Sequence, residues 1–433
     1  FGYKVKFVMN ITDVGHLTSN SDTGEDKMEK GAKREGKTAW DIAKFYTQAF
    51  LADSKKLNLM EPDVRPKPTE HIAEQIAMVE TLLARGFAYR IDDGVYFDTS
   101  KFAGYGALTG QNIEELKAGS RVEPNPQKRN PTDFALWKFS PKDKKRDMEW
   151  DSPWGVGFPG WHIECSAMSR KHLGDQIDIH TGGADLIPIH HTNEIAQSEA
   201  TTGKSPFVRF WVHGQFILVD GEKMSKSKEN FYRLSDIEAK NFDSLALRYF
   251  YMTAHYRAFL NFTWTALESA QASLNELRAQ VLSIKNQVSR HTLSPEKVEK
   301  VDAYRKKFGE ALANDLNMPE ALAAVWEVIK SNIPSQDKYD LLMDFDEILG
   351  FGLKNVSQLK VEEMKLPKSS ATILSYTQTP LSGPTISRLD ERELARQQGN
   401  YGTADKLRED IRLIDKLTVE DTSGGTVVKR TSD

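Results

Sequence analysis

One cysteine stands among 433 residues, at position 165, so no disulfide can close within the chain. No apolar run approaches the ~18 residues that a membrane span needs. The opening GYKVKFVMN alternates apolar and polar residues like a strand and does not read as a signal peptide. These absences make a cytoplasmic protein with no membrane partner the default expectation. Charge of one sign is lacking too: 58 Lys and Arg stand against 62 Asp and Glu, a net charge of -4. No global basic field exists, and any nucleic acid must be held by local patches. Internal repeats and low-complexity tracts are absent. The length of 433 residues exceeds what one hydrophobic core usually serves, which implies two to four domains.

What is present is an alternation of strand and helix patterns up to about residue 235, which favours an α/β sheet domain. The run TEHIAEQIAMVETLLARG predicts a helix capped by Thr69, with Ile72, Ile76, Val79 and Leu83 as its apolar stripe and Gly86 past its end. FAYRI and VYFDT flank Asp92-Asp93-Gly94, a hairpin signal. The proline-containing segment 119 to 146 reads as loop rather than core, part of a connective insertion spanning about 86 to 146. IDIHTG and FWVHGQFILVD predict strands, the second running directly into GEKMSKSKEN. Beyond Leu245 the periodicity is helical, through LALRYFYMTAHY, TALESAQASLNELRAQVLSIKNQ and PEALAAVWEVIKS. Residues 365 to 386 have linker composition, two short helices surround Gly399 and Gly402, and DTSGGTVVKR predicts a hairpin ending in a basic strand.

Three local patterns invite chemistry. Gly155-Val156-Gly157-Phe158-Pro159-Gly160 has the spacing of a dinucleotide-binding loop, but Pro153 before it and Pro159 inside it favour a tight turn. His162-Ile163-Glu164 imitates the zinc nucleobase deaminases, yet the Cys-x-x-Cys which that chemistry needs is missing. Cys165 with His190 and Glu194 is a better metal set: the last two are four apart, so on a helix they share a face. Thiolate, imidazole and carboxylate together favour zinc over magnesium or calcium. A helix-stabilising His/Glu pair would look the same.

Gly221-Glu222-Lys223-Met224-Ser225-Lys226-Ser227 is more specific. Two lysines among small hydroxyl residues suit the charge that develops on a triphosphate during displacement. The string KMSKS resembles the signature of class I aminoacyl-tRNA synthetases. With N-x-T-D at Asn10 to Asp13, DFALWK at Asp133 to Lys138, SPWG, PGWHIECSAM and the His190 to Glu194 segment, the chain resembles cysteinyl-tRNA synthetase over nearly its whole length.

That resemblance implies a Rossmann-like parallel-sheet catalytic domain over 1–235, with an inserted segment. It further implies a stem-contact helical region over 236–290, a helical tRNA-binding domain over 291–365, and a small anticodon-binding module over 366–433. It implies one zinc ion, structural and substrate-binding, on Cys165, His190 and Glu194, and a cysteine pocket lined by Thr12, Trp161, His180 and Asp185. Lys226 and Lys223 would be catalytic, binding ATP together with Ser225 and Ser227, and magnesium would accompany ATP. The partners implied are L-cysteine, ATP and tRNA(Cys), with the protein a monomer. In the family a first nucleotide-fold strand, a His-Ile-Gly-His loop and a further zinc cysteine precede the segment resembling GYKVKFVMN. The sequence starting at Phe1 therefore implies an amino-terminal truncation and poor activity as it stands. Two other readings compete: the mycothiol-pathway cysteine ligase, which shares the adenylate chemistry, and a tRNA-binding paralogue without catalysis.

Overall fold

The two-residue loop Asp92-Asp93 turns the chain between β1 (Ala88–Ile91) and β2 (Gly94–Phe97), which pair antiparallel with Ile91 opposite Gly94. In this computed structural model the described residues are 2–15, 27–110, 125–141, 145–225, 228, 230–287, 293–356, 362–375, 381, 383–415, 417–422 and 425–430. The chain divides into two units: 1–55, 59–216 and 256–258 form the first, and 56–58, 217–255 and 259–433 the second.

In the first unit β3 (Phe134–Phe139) pairs with β2, and β4 (Gly157–Pro159) with β3, completing an antiparallel sheet in the order β1-β2-β3-β4. Loop was expected over 119–146, but Phe134, Ala135, Leu136 and Trp137 are all buried. Both faces of β3 are covered, so its residues read as a continuous apolar run instead of an alternation. The expected turn at the Gly-rich hexapeptide is a strand in part. A Cβ on Gly157 would stand 2.0 Å from Lys138 O, and one on Gly160 2.1 Å from Ala135 O. Close strand approach, not phosphate, requires these glycines.

Helix α3 (Ile72–Ala84) follows α1 (Lys27–Glu35) and α2 (Ala39–Lys56). Its N-cap is His71 and not Thr69, whose hydroxyl is engaged by Asp13, and its most buried apolar face is Met78, Val79 and Leu82. Gly86, at φ +80°, ends it as expected. The opening segment makes only an isolated bridge, Val8 with Val64, rather than a full strand. Pro62, Pro66 and Pro68 on the facing segment have no N–H to return.

Helix α4 (Trp161–Leu173) leads to β5 (Ile177–Gly183), helix α5 (Thr192–Thr202) and β6 (Val208–Gly214). Strands β5 and β6 are parallel, with His180 opposite Trp211, and α5 is the crossover that parallel pairing demands. This is the βαβ arrangement of an α/β nucleotide-binding fold.

The second unit opens where FWVHGQFILVD breaks into two strands instead of continuing as one. Strand β7 (Ile217–Val219) turns through Asp220 and Gly221, at φ +50° and +78°, into β8 (Glu222–Lys223). Strand β9 (Leu260–Phe262) runs parallel to β7. Helices α7 (Ser244–Tyr251), α8 (Trp264–Lys285), α9 (Pro295–Ala313), α10 (Met318–Lys330) and α11 (Ser335–Leu349) follow α6 (Leu234–Ala239). One core joins them, with Leu267, Leu274, Val325, Leu341 and Phe345 at its centre, and it runs from Val219 to Leu353. The divisions read after residues 235 and 290 both fall inside it.

Strands β10 (Glu362–Lys365) and β11 (Thr372–Ser375), helices α12 (Gly383–Gln397) and α13 (Tyr401–Ile414), and the hairpin β12 (Leu417–Thr422) and β13 (Gly425–Arg430) come last. The sheet order is β10-β11-β13-β12. Leu366, Ile373, Leu389, Ile411, Val419 and Val428 form a separate core. The stretch of linker composition thus supplies a strand.

Candidate active site

Cys165 lies in the second turn of α4, and His190 on a π-turn, Ile187–His191, that widens the approach to α5. Glu194 follows in the first turn of α5. The ligand atoms of Cys165, His190 and Glu194 all lie within 4.8 Å of one another. Glu194 is fully buried, and neither of its oxygens accepts a well-formed hydrogen bond. Around it stand His180 Nε2 at 3.2 Å, His190 Nε2 at 3.8 Å and His191 Nε2 at 3.9 Å.

Burial alone would raise the Glu194 carboxyl, but the surrounding histidines pull it down to about 2. Burial also works against protonated His180, yet the Glu194 carboxylate outweighs it and raises the ring. His191 is pushed down to about 3 by burial, partly countered by Glu194. Burial, with the charges of Glu194 and Glu164, drives the Cys165 thiol well above its ordinary range. A bound cation reverses that preference, because it favours the thiolate outright.

The donor set fits a zinc ion: one sulfur, one imidazole and one buried carboxylate whose oxygens accept no well-formed hydrogen bond. His162 Nδ1 and His190 Nδ1 are 2.9 Å apart. When His190 donates from Nδ1, its Nε2 lone pair is left for a metal, the usual arrangement around a ligating histidine. A second group, His180, His191 and Glu194, meets the same spacing through a shared carboxylate.

Of the four residues assigned to the cysteine pocket, two reach this cluster. The Trp161 ring is 4.6 Å from that of His190, and His180 faces Glu194. Thr12 and Asp185 are solvent-exposed. Beside Thr12, the buried residue is Asp13. Sequence reasoning missed His162, His191, Trp211 and His213. His191 Nδ1 is 2.8 Å from His213 Nε2, and the Trp211 ring is 4.7 Å from that of His191. The signal was present in Trp211-Val212-His213, whose outer members share one face of β6, and in the His190-His191 doublet.

In the second unit, Lys223 ends the β7–β8 hairpin with its side chain exposed. Met224 packs on the helical core, the Ser225 N–H donates to Asn230 Oδ1 at 2.8 Å, and Lys228 pairs with Glu222 at 2.5 Å. Lys226 and Ser227 lie outside the described residues.

Residues 1–272 match the family described as tRNA synthetases class I (C) catalytic domain. Cysteine–tRNA ligase 1 of Burkholderia lata is 46% identical over 426 residues, covering 98% of this chain and 84% of that one. The chain belongs to the cysteinyl-tRNA synthetase family. The Cysteine–tRNA ligase of Treponema denticola is 40% identical over 447 residues, covering 99% of this chain and 88% of that one. Among solved structures, methionyl-tRNA synthetase of Mycobacterium tuberculosis in complex with methionyl-adenylate is similar at 14% identity. It has a TM-score of 0.49, over 75% of this chain and 80% of that one. As a cysteinyl-tRNA synthetase the chain is a ligase that forms an aminoacyl-tRNA bond, joining cysteine to its tRNA with ATP. The mycothiol-pathway cysteine ligase and the tRNA-binding paralogue without catalysis give way to this reading. No helix among the described residues is long and apolar enough to cross a membrane.

Proposed function

We propose that Cys165, His190 and Glu194 hold one zinc ion at which the thiol of L-cysteine is selected, and that the KMSKS loop serves ATP. The observation that carries this is the convergence of the buried Glu194 carboxylate, a thiol and an imidazole, with ligand atoms all within 4.8 Å of one another. A thiol and a hydroxyl of similar size are poorly separated by an apolar pocket. Zinc supplies a soft partner for sulfur that serine cannot match.

The chain's own residues do the rest. Cys165, His190 and Glu194 orient the ion; His162 fixes the His190 ring; Trp161 and His180 border the substrate side, with Thr12 and Asp185 as further cysteine contacts. The substrate carboxylate attacks the α-phosphorus of ATP and pyrophosphate leaves. Lys226, supported by Lys223, stabilises the charge on the departing pyrophosphate, and Ser225 and Ser227 donate to the phosphates. Magnesium accompanies ATP without a dedicated protein cage. A ribose hydroxyl of the terminal adenosine of tRNA(Cys) then attacks the carbonyl of the adenylate, forming the cysteinyl ester as AMP leaves. Residues 236–290 contact the tRNA stem, 291–365 extend that surface, and 366–433 read the anticodon, in a cytoplasmic monomer.

Metal analysis tests the reading. One zinc per chain is expected, with loss in Cys165→Ala and in Glu194→Ala. Zinc retained at full stoichiometry in both variants defeats it.

A further inference from the structure

Asn10 is tied on both sides. The Met9 N–H donates to Val64 O at 3.1 Å and the Ile11 N–H to Pro66 O at 3.0 Å. Three residues on, Asp13 accepts both a backbone and a hydroxyl hydrogen bond from Thr69. This fixed backbone brings Asn10 Nδ2 to 3.8 Å from Cys165 Sγ. An amide nitrogen is a donor only, so the contact runs one way, N–H toward sulfur. Against a metal-bound thiolate, which has no S–H to donate, the flipped amide would set a carbonyl oxygen against an anionic sulfur.

We propose that Asn10 is a positioning residue of the metal centre, whose amide N–H donates to the Cys165 sulfur and tunes its strength as a ligand. The inference rests on the reading of Cys165, His190 and Glu194 as zinc ligands. Two of those ligands are anionic when zinc is bound, and a substrate thiolate would add a third negative charge to a dication. An N–H donor on Cys165 withdraws part of that excess, so the ion keeps enough attraction for the incoming sulfur. Groups behind metal ligands commonly act in this way, by orientation and by charge. Asn10 is solvent-exposed, and the backbone bonds that hold its neighbours do not involve its side chain. Its replacement therefore perturbs the sulfur without removing a piece of the core.

Cobalt(II) in place of zinc provides the readout, since a thiolate-to-cobalt charge-transfer band reports the donor strength of the sulfur. Asn10→Leu keeps the side chain's size and removes the donor. The band is expected at longer wavelength than in the wild-type chain, because a sulfur freed of the N–H gives more charge to the metal. Asn10→Asp, which sets a carboxylate against the sulfur, is expected to shift it further. Both variants should keep the wild-type unfolding midpoint. A band that stays at the wild-type wavelength in both variants overturns the role of Asn10. A wild-type chain without any thiolate band, and a Cys165→Ser variant that takes up cobalt as tightly as wild type, overturn the metal reading itself.

Discussion

Asp13 and Thr69, 56 residues apart, are joined twice: the Thr69 N–H and hydroxyl both donate to the Asp13 carboxylate, at 3.2 and 2.6 Å. The pair fastens the end of the opening segment to the turn that precedes α3. Asp13 is buried, so the hydroxyl removed by Thr69→Val leaves a desolvated carboxylate one donor short. Chemical denaturation should show a loss of about 1–3 kcal/mol. A cost below ~0.5 kcal/mol would mean that water takes over the missing bond.

Glycines at strand contacts and glycines in open helix should respond oppositely to alanine. At Gly157 the added Cβ meets the Lys138 carbonyl, and at Gly160 the Ala135 carbonyl; both contacts are with backbone that cannot step aside. Either substitution should cost roughly 3 kcal/mol or more. Gly309, inside α9, has nothing within 4 Å of the position an alanine methyl would take, so Gly309→Ala should stabilise by about 0.5–1 kcal/mol. Thermal melts of the three variants check the contrast, and equal shifts of one sign would contradict it.

The carboxyl-terminal module carries an acid-sensitive link. Hydrogen bonds from Arg388 hold the Asp415 carboxyl below its ordinary range, and the Thr385 hydroxyl adds to them at 2.8 Å. In the unfolded chain this carboxyl binds a proton more readily. The link therefore contributes fully above the ordinary carboxylate range and is lost as pH falls through the lower, folded value. The stability gap between wild type and Asp415→Asn, read from urea midpoints, should be widest near pH 7 and close progressively below about pH 4. A gap that grew on acidification would carry the wrong sign.

Because residues from Leu366 to Val428 have a core separate from that of the helices, this module can be removed without opening the larger one. Deleting residues 366–433 should weaken binding of tRNA(Cys) by about tenfold or more, since unpaired bases are what side chains read in RNA. Zinc content should be unchanged. Undiminished tRNA affinity would assign anticodon reading elsewhere.

Much of this architecture was legible in local pattern. The Asp92-Asp93 hairpin, α3 and the final hairpin follow from turn chemistry and periodicity that act within a few residues. Strand β3 was not legible as core, because burial on both faces erases the alternation that marks a strand. Thr69 was misplaced as a helix cap because its partner, Asp13, is distant in sequence. At the candidate site Cys165, His190 and Glu194 were identified from donor chemistry and a motif. His162, His191 and His213 were missed because the doublet and the Trp211-Val212-His213 spacing show which side chains share a face but not what that face meets; the packing of α4, the turn before α5 and β6 gathers them.

The most direct test of the central claim is the absorption spectrum of the cobalt(II)-substituted chain as cysteine or serine is added. If Cys165, His190 and Glu194 hold an ion that selects the substrate by its sulfur, cysteine should add thiolate-to-cobalt charge-transfer intensity. Serine at the same concentration should leave the spectrum unchanged. Identical spectra with the two amino acids would contradict selection at the metal.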